Sequence, residues 1–180
     1  MTKLKIFVVL LADLMMLTGC STVFLNDSDE KSLGALGNPR TLEMQMQITR
    51  GGNSYAMDLI VDVRNQGLTV IGSAFGVRIF TLSLDGNLIS EGVGLGLPAS
   101  LPNRLIVDDV ILTLATLKSL GSDLPEGCSI SVEDDWRKIY CSGRLIVKIK
   151  HQKMTDKNER VSIERLQPEY KVNFVISEAK

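Results

Sequence analysis

TLEMQMQITRGGNSYAMDLIVDVRNQGLTV, residues 41–70, alternates apolar and polar side chains with a period of two. Leu42, Met44, Met46 and Ile48 lie on one side of an extended chain, and Glu43, Gln45, Gln47 and Thr49 on the other, the pattern of a half-buried strand. Gly51-Gly52 is a hairpin turn signal. Folding there sets Ile48 opposite Tyr55, Met46 opposite Met57, Met44 opposite Leu59 and Leu42 opposite Val61. Every pair falls on one face, as a correct register requires. A second turn at Asn65-Gln66 sets Val63 against Leu68 and Val61 against Val70 on that same face. Two independent turns agree on an antiparallel meander.

The meander continues in the C-terminal direction. A two-residue loop at Phe75-Gly76 would send Phe80, Leu82 and Leu84 to the wrong face, so the register predicts a three-residue loop through Val77, or a bulge. Either device pairs Gly72 with Phe80 and Val70 with Leu82. Asp85-Gly86 is the strongest turn signal of the chain, and a short strand follows over residues 88–93. The glycine-rich stretch GVGLGLPASLP, residues 92–102, has no Lys-Ser/Thr and no helix start of the phosphate-loop form, so it reads as an apolar connection across the sheet.

Residues 105–120 are predicted to form the principal helix. Val107, Val110, Ile111, Leu114 and Leu117 follow the 3.6-residue spacing, and Gly121 suits the position after the last turn. Its β-branched content leaves open a strand over residues 105–107 ahead of a shorter helix. Asp108 and Asp109 fall near the predicted start, where the helix dipole favours them, and read as solvated. They also raise a carboxylate-pair or metal reading, but helix neighbours point about 100° apart and no His or Cys lies nearby.

Beyond PEG, residues 125–127, strands are expected over residues 128–133, 136–141, 144–151, 160–166 and 170–177. A two- or four-residue loop centred on Asp134-Asp135 sets Cys128 directly opposite Cys141. Counted from a two-residue turn, that is a non-hydrogen-bonded pair with Cα atoms about 4.5 Å apart, within reach of a disulfide. His151, the only histidine, closes a strand and has no nucleophile partner. No metal site, cofactor motif or catalytic constellation is legible.

The N-terminus supplies an address. Lys3 and Lys5 precede an apolar run of 12 residues, 6–17, and Leu17-Thr18-Gly19-Cys20 closes it. The run is short of the roughly 20 residues of a membrane span and is interrupted by Asp13. A buried cytoplasmic helix and an ordinary secretion signal are the other readings. The combination of charged start, apolar stretch, small residues and cysteine resembles the lipobox of bacterial lipoproteins. The resemblance implies removal of residues 1–19 and acylation of Cys20, and Ser21 in the following position implies sorting to the outer membrane, facing the periplasm. Removal of residues 1–19 would leave 161 of the 180 residues and, by taking Lys3, Lys5 and Asp13, move the net charge from −1 to −2. That balance offers no footprint for nucleic acid. An oxidising periplasm suits a Cys128–Cys141 disulfide. Residues 20–40, polar and without periodicity, read as lipidated cysteine plus flexible tether, and residues 41–180 as the folded domain.

The stretches GVRIFTLSLDG (76–86), LPNRL (101–105), LPEG (124–127) and GRL (143–145) resemble a proteobacterial lipoprotein family of unknown function. Genes of that family accompany fatty-acid-like and aryl-polyene biosynthesis genes. The resemblance implies a fold similar to the lipoprotein-localisation factors LolA and LolB. That fold is mainly β (α+β): a strongly curved antiparallel half-barrel with one principal helix packed in its concave face. The outer-membrane factor inserts acyl chains with a protruding apolar loop, and the nearest counterpart here is the tight turn at Phe75. One helix of 16 residues cannot easily cover nine or ten strands, so either the sheet curls around it or part of the face stays open. Met44, Met46, Met57, Leu59, Phe80 and Leu82, with Val110 and Leu114 on the helix, are the expected contacts for a lipid, acyl or polyene ligand. Methionine adapts to irregular partners. Membrane lipid (through Cys20) and envelope or biosynthetic proteins are the expected partners. A fully packed core serving an assembly subunit is the alternative.

Overall fold

Ten strands form one antiparallel sheet in the computed structural model, which describes residues 36–65, 67–85, 88–92, 102–155 and 157–178. The N-terminal meander comprises β1 (Arg40–Arg50), β2 (Asn53–Val63), β3 (Gly67–Ala74), β4 (Val77–Asp85) and β5 (Leu88–Glu91). Two helices follow, α1 (Asn103–Leu114) and α2 (Leu117–Asp123). A second meander completes the chain: β6 (Cys128–Glu133), β7 (Trp136–Cys141), β8 (Arg144–Lys153), β9 (Asn158–Leu166) and β10 (Glu169–Glu178). The strand order is β5-β4-β3-β2-β1-β10-β9-β8-β7-β6, so the first and last strands join the two meanders at the centre.

Register follows side-chain chemistry. The β1–β2 pairs are Ile48–Tyr55, Met46–Met57, Met44–Leu59 and Leu42–Val61, as the alternation requires. On the other side of β1, Met44 faces Ile176, Met46 faces Phe174 and Ile48 faces Val172, so the apolar face runs unbroken across the seam. The β3–β4 turn resolves the choice between a longer loop and a bulge. Ala74 pairs with Val77 around a two-residue loop, Phe75 and Gly76 both have positive φ, and the register shifts between Gly72 and Ser73. The bulge returns Phe80 to the apolar face opposite Gly72. A Cβ on Gly72 would lie 2.4 Å from two ring carbons of Phe80, so this glycine is the space the ring occupies. Residues Asp134 and Asp135 also turn with positive φ, and Cys128 faces Cys141. Their Cα atoms are 4.0 Å apart and the sulfurs are bonded. The Ser142 N–H donates to the Gly127 carbonyl just beyond them, as it should around a non-hydrogen-bonded pair.

The sheet curls into the expected half-barrel. Helix α1 touches β4 and β5 on one side and β9 on the other. Strands β4 and β9 are five places apart in the sheet, about 24 Å if it were flat, whereas a helix is about 10–12 Å wide. Only a strongly curved sheet meets both sides of one helix. Residues 106–113 of α1 are all buried, so the helix is enclosed on every face.

Two expectations need correction. The helix is not continuous over residues 105–120: it stops at Leu114, Ala115 is extended, and Thr116 starts α2 by accepting a hydrogen bond from the Ser119 N–H at 3.2 Å. Gly121 consequently sits inside α2. Asp108 and Asp109 are not solvated but buried in the middle of α1. Leu36, ahead of the first strand, is also buried in the core. The signal segment, Cys20, most of the tether, Gly86 and most of the glycine-rich connection lie outside the described residues. No helix among the described residues is long and apolar enough to cross a membrane.

Candidate ligand cleft

The residues expected to hold a lipid are brought together, chiefly as core. Met44, Met46, Leu59, Phe80, Leu82 and Val110 are buried in the cluster that joins sheet and helix. Met57 is partly buried against it. Met44, Leu59, Phe80, Leu82 and Val110 belong to the closed core, whereas Met46 and Met57 also line a cavity of about 930 Å³. Leu114 differs: it is half-buried and lines a cleft of about 720 Å³ at the end of α1. That volume is ordinary for a small-molecule site.

The cleft forms where the helix breaks. Leu42, Leu114, Ala115, Leu117 and Ile176 make its apolar lining. Arg40, Arg137, Lys153 and Lys157 line it, and among the described residues Glu159 is the one carboxylate that does. Period-two geometry explains their arrival, for Arg137, His151 and Glu159 occupy inward positions on β7, β8 and β9. Arg137 faces Ile149, His151 faces Val161, and Glu159 faces Lys153. The Arg137 guanidinium donates to the Ala115 carbonyl at 3.1 Å, so it braces the point where α1 ends. Burial lowers its pKa, with Glu159 opposing.

His151 Nδ1 lies 2.6 Å from a Glu159 oxygen. Burial lowers the His151 pKa below its ordinary value, the Glu159 hydrogen bond opposes, and the Arg137 charge lowers it further. The ring is therefore neutral near pH 7, with its proton on Nδ1 toward the carboxylate and a lone pair on Nε2. That Nε2 and the Thr113 hydroxyl are buried and have no hydrogen-bond partner among the described residues. Both residues line the cleft. Native proteins pair nearly all such groups, so two together in one cleft mark a polar subsite.

A second polar group sits deeper, and both oxygens of its Asp109 carboxylate are satisfied internally. Asp109 on α1 accepts from Arg165 Nε at 2.7 Å and from the Tyr170 hydroxyl at 2.6 Å. Arg165 and Asp109 are 1% and 2% exposed, so this is a buried ion pair that fastens the helix to β9 and β10. Burial raises the Asp109 pKa, opposed by Arg165 and Tyr170. Burial opposes the Arg165 charge most strongly, but Asp109, Tyr170 and Asp108 together outweigh it and hold that pKa above its ordinary value. Asp108 accepts from Arg104 Nε at 3.0 Å one turn earlier, and burial lifts its pKa to about 6.

Sequence reasoning missed Arg137, Thr113, Arg165 and Tyr170, and it read His151 only as a strand end. The available signal was a charge on the apolar parity: Arg165 follows Val161 and Ile163, and Arg137 precedes Ile139. Among the described residues, no group of three or more His, Cys, Asp and Glu side chains is placed to hold a metal ion.

A domain family described as a protein of unknown function, DUF3261, matches residues 41–178. The chain belongs to the DUF3261 family. This match covers both meanders and both helices. The fold is similar to a LolA superfamily protein from Nitrosomonas europaea, with a TM-score of 0.45 and 10% identity over 87% of this chain and 93% of that one. A DUF1329 family protein from Desulfovibrio piger has a TM-score of 0.34 and 16% identity, over 87% of this chain and 92% of that one. No curated protein matches the chain.

Proposed function

We propose that this DUF3261 protein is a periplasmic lipoprotein, anchored to the outer membrane through Cys20, that binds or passes on a lipid, acyl or polyene ligand without catalysis. The cleft beside Leu114 carries the reading. It combines an apolar lining with unpartnered polar groups, at the one place where the helix filling the half-barrel is interrupted. A membrane tether would keep the local lipid concentration high. The Cys128–Cys141 disulfide suits an oxidising compartment.

Native mass spectrometry of the full chain carrying Cys20→Ser tests it. A stoichiometric adduct of lipid mass, displaced by detergent, is expected after exposure to membrane lipids or polyene extracts. A clean apo mass would favour a second reading, a non-catalytic assembly subunit of an envelope complex. The packing of Met44, Met46, Leu59, Phe80 and Leu82 into a closed core supports that rival.

A further inference from the structure

The cleft is more selective than an apolar ligand alone would need. A neutral chain has no use for the cations that Arg40, Arg137 and Lys157 bring to the cleft, where Glu159 is the one lining carboxylate among the described residues. Arg137 stands between two jobs, since one guanidinium nitrogen binds the Ala115 carbonyl and its fork carries further N–H donors. The Thr113 hydroxyl can donate to an oxygen from the α1 side, and His151, whose Nε2 is buried and unpartnered among the described residues, lines the cleft from β8. Desolvated donors of this kind favour an anionic oxygen over a neutral one, because charge-assisted bonds are about twice as strong.

Resting on the reading of the cleft as a lipid site, we propose that its ligand is a single-chain amphiphile with an acidic head, carboxylate or phosphate. Arg137 and the Thr113 hydroxyl hold the head, and the chain lies along Leu42, Leu114 and Ile176. Lys157 at the rim attracts the head before it docks, an effect that salt screens. Neutral His151 accepts a hydrogen bond from a protonated or hydroxyl-bearing head. With Glu159 behind it, it can also take up a proton and donate to an anion. Nothing in this arrangement breaks a bond of the ligand.

Equilibrium binding of dodecanoate, dodecyl phosphate and dodecanol to the full chain carrying Cys20→Ser separates the two layers of the argument. Chain length is constant, so only the head differs. Both acids, or the one whose head the site prefers, are expected to bind at least about tenfold more tightly than the alcohol. Arg137→Gln should reduce that preference to about threefold or less while leaving dodecanol affinity within about twofold. Arg137 also braces the helix break, so Thr113→Val, nearly the same shape, gives an independent check: acid binding should fall about three- to tenfold with the alcohol unchanged. Equal binding of all three probes would overturn the acidic-head site and leave the lipid reading intact. Binding by none would overturn both. An acid preference that survives both substitutions in folded protein would overturn the assignment of Arg137 and Thr113.

Discussion

Asp109→Asn removes one charge and almost no volume, and the structure says what should follow. Asp109 is the carboxylate that faces Arg165 and Tyr170 in a buried setting, and both polar groups donate to it. The amide keeps one acceptor oxygen but cancels the countercharge of a guanidinium that is 1% exposed. Breaking one side of a buried pair costs about 3–5 kcal/mol. Residues 36–178, at roughly 2.1 cal/mol/K per residue, unfold with about 0.3 kcal/mol/K, so the expected loss of Tm is about 10–17 °C. Circular dichroism melts at fixed pH would measure it. The companion Asp109→Asn/Arg165→Met removes both charges and should regain most of the loss, because an apolar replacement of a buried pair is often near neutral. A fall of under about 3 °C for the single variant, or a pair whose losses simply add, would refute the ion pair as the fastening of α1 to the sheet.

Three further outcomes follow from the same coordinates. Asp108 has its folded pKa raised to about 6, so the folded state holds more protons than the unfolded one between roughly pH 4 and 6. Its contribution to stability is present at low pH and is lost as pH rises through that window. Asp108→Asn should therefore gain on the parent by about 2–3 kcal/mol between pH 4 and 7.5 in urea titrations, and a pH-independent difference would count against it. The disulfide closes a loop with a sequence separation of 13, so Cys128→Ser/Cys141→Ser should cost about 2–3 kcal/mol, seen as a lower urea midpoint that reductant no longer shifts. Gly72→Ala must displace the Phe80 ring and should cost about 1–3 kcal/mol, with partial rescue by Phe80→Leu; an unchanged midpoint would contradict the packing.

Legibility in the sequence tracked the range of the interaction. Hairpin registers were readable because one strand, its turn and its partner lie within some twenty residues and share a period. The Phe75 turn shows how far this goes, since the need to keep Phe80 inward demanded an irregularity before its position was known. The β1–β10 seam was not readable, because it joins residues more than 120 apart and any strand with the right parity would fit. The helix break was hidden by chemistry that fits both outcomes: Leu114 and Leu117 continue a 3.6-residue spacing, yet Thr116 and Ser119 form a cap. Asp108 and Asp109 were misplaced for a related reason. Their burial depends on Arg104 four residues away and on Arg165 in another element, and only the first is local.

Two sets of polar groups thus occupy one apolar face, and their difference is what separates architecture from a candidate site. The Asp109 carboxylate has its partners within the chain, Arg165 on β9 and the Tyr170 hydroxyl on β10, and its removal is a question of stability. Around the helix break the polar side chains are as fixed as those of the deeper set, for Arg137 binds Ala115 and Glu159 holds His151. They nevertheless leave the Thr113 hydroxyl and His151 Nε2 without protein partners. A core selected for packing alone would place an apolar side chain at each of those positions, since an unpaired buried polar group costs about 1–3 kcal/mol. Retaining both beside Arg40, Arg137 and Lys157 is the arrangement that a ligand from outside would complete. The stability variants and the binding variants should consequently separate: Asp109→Asn lowers Tm with dodecanoate affinity intact below the transition, and Thr113→Val lowers dodecanoate affinity with Tm held or raised. Loss of both properties in both variants would mean that the two sets are one structural network.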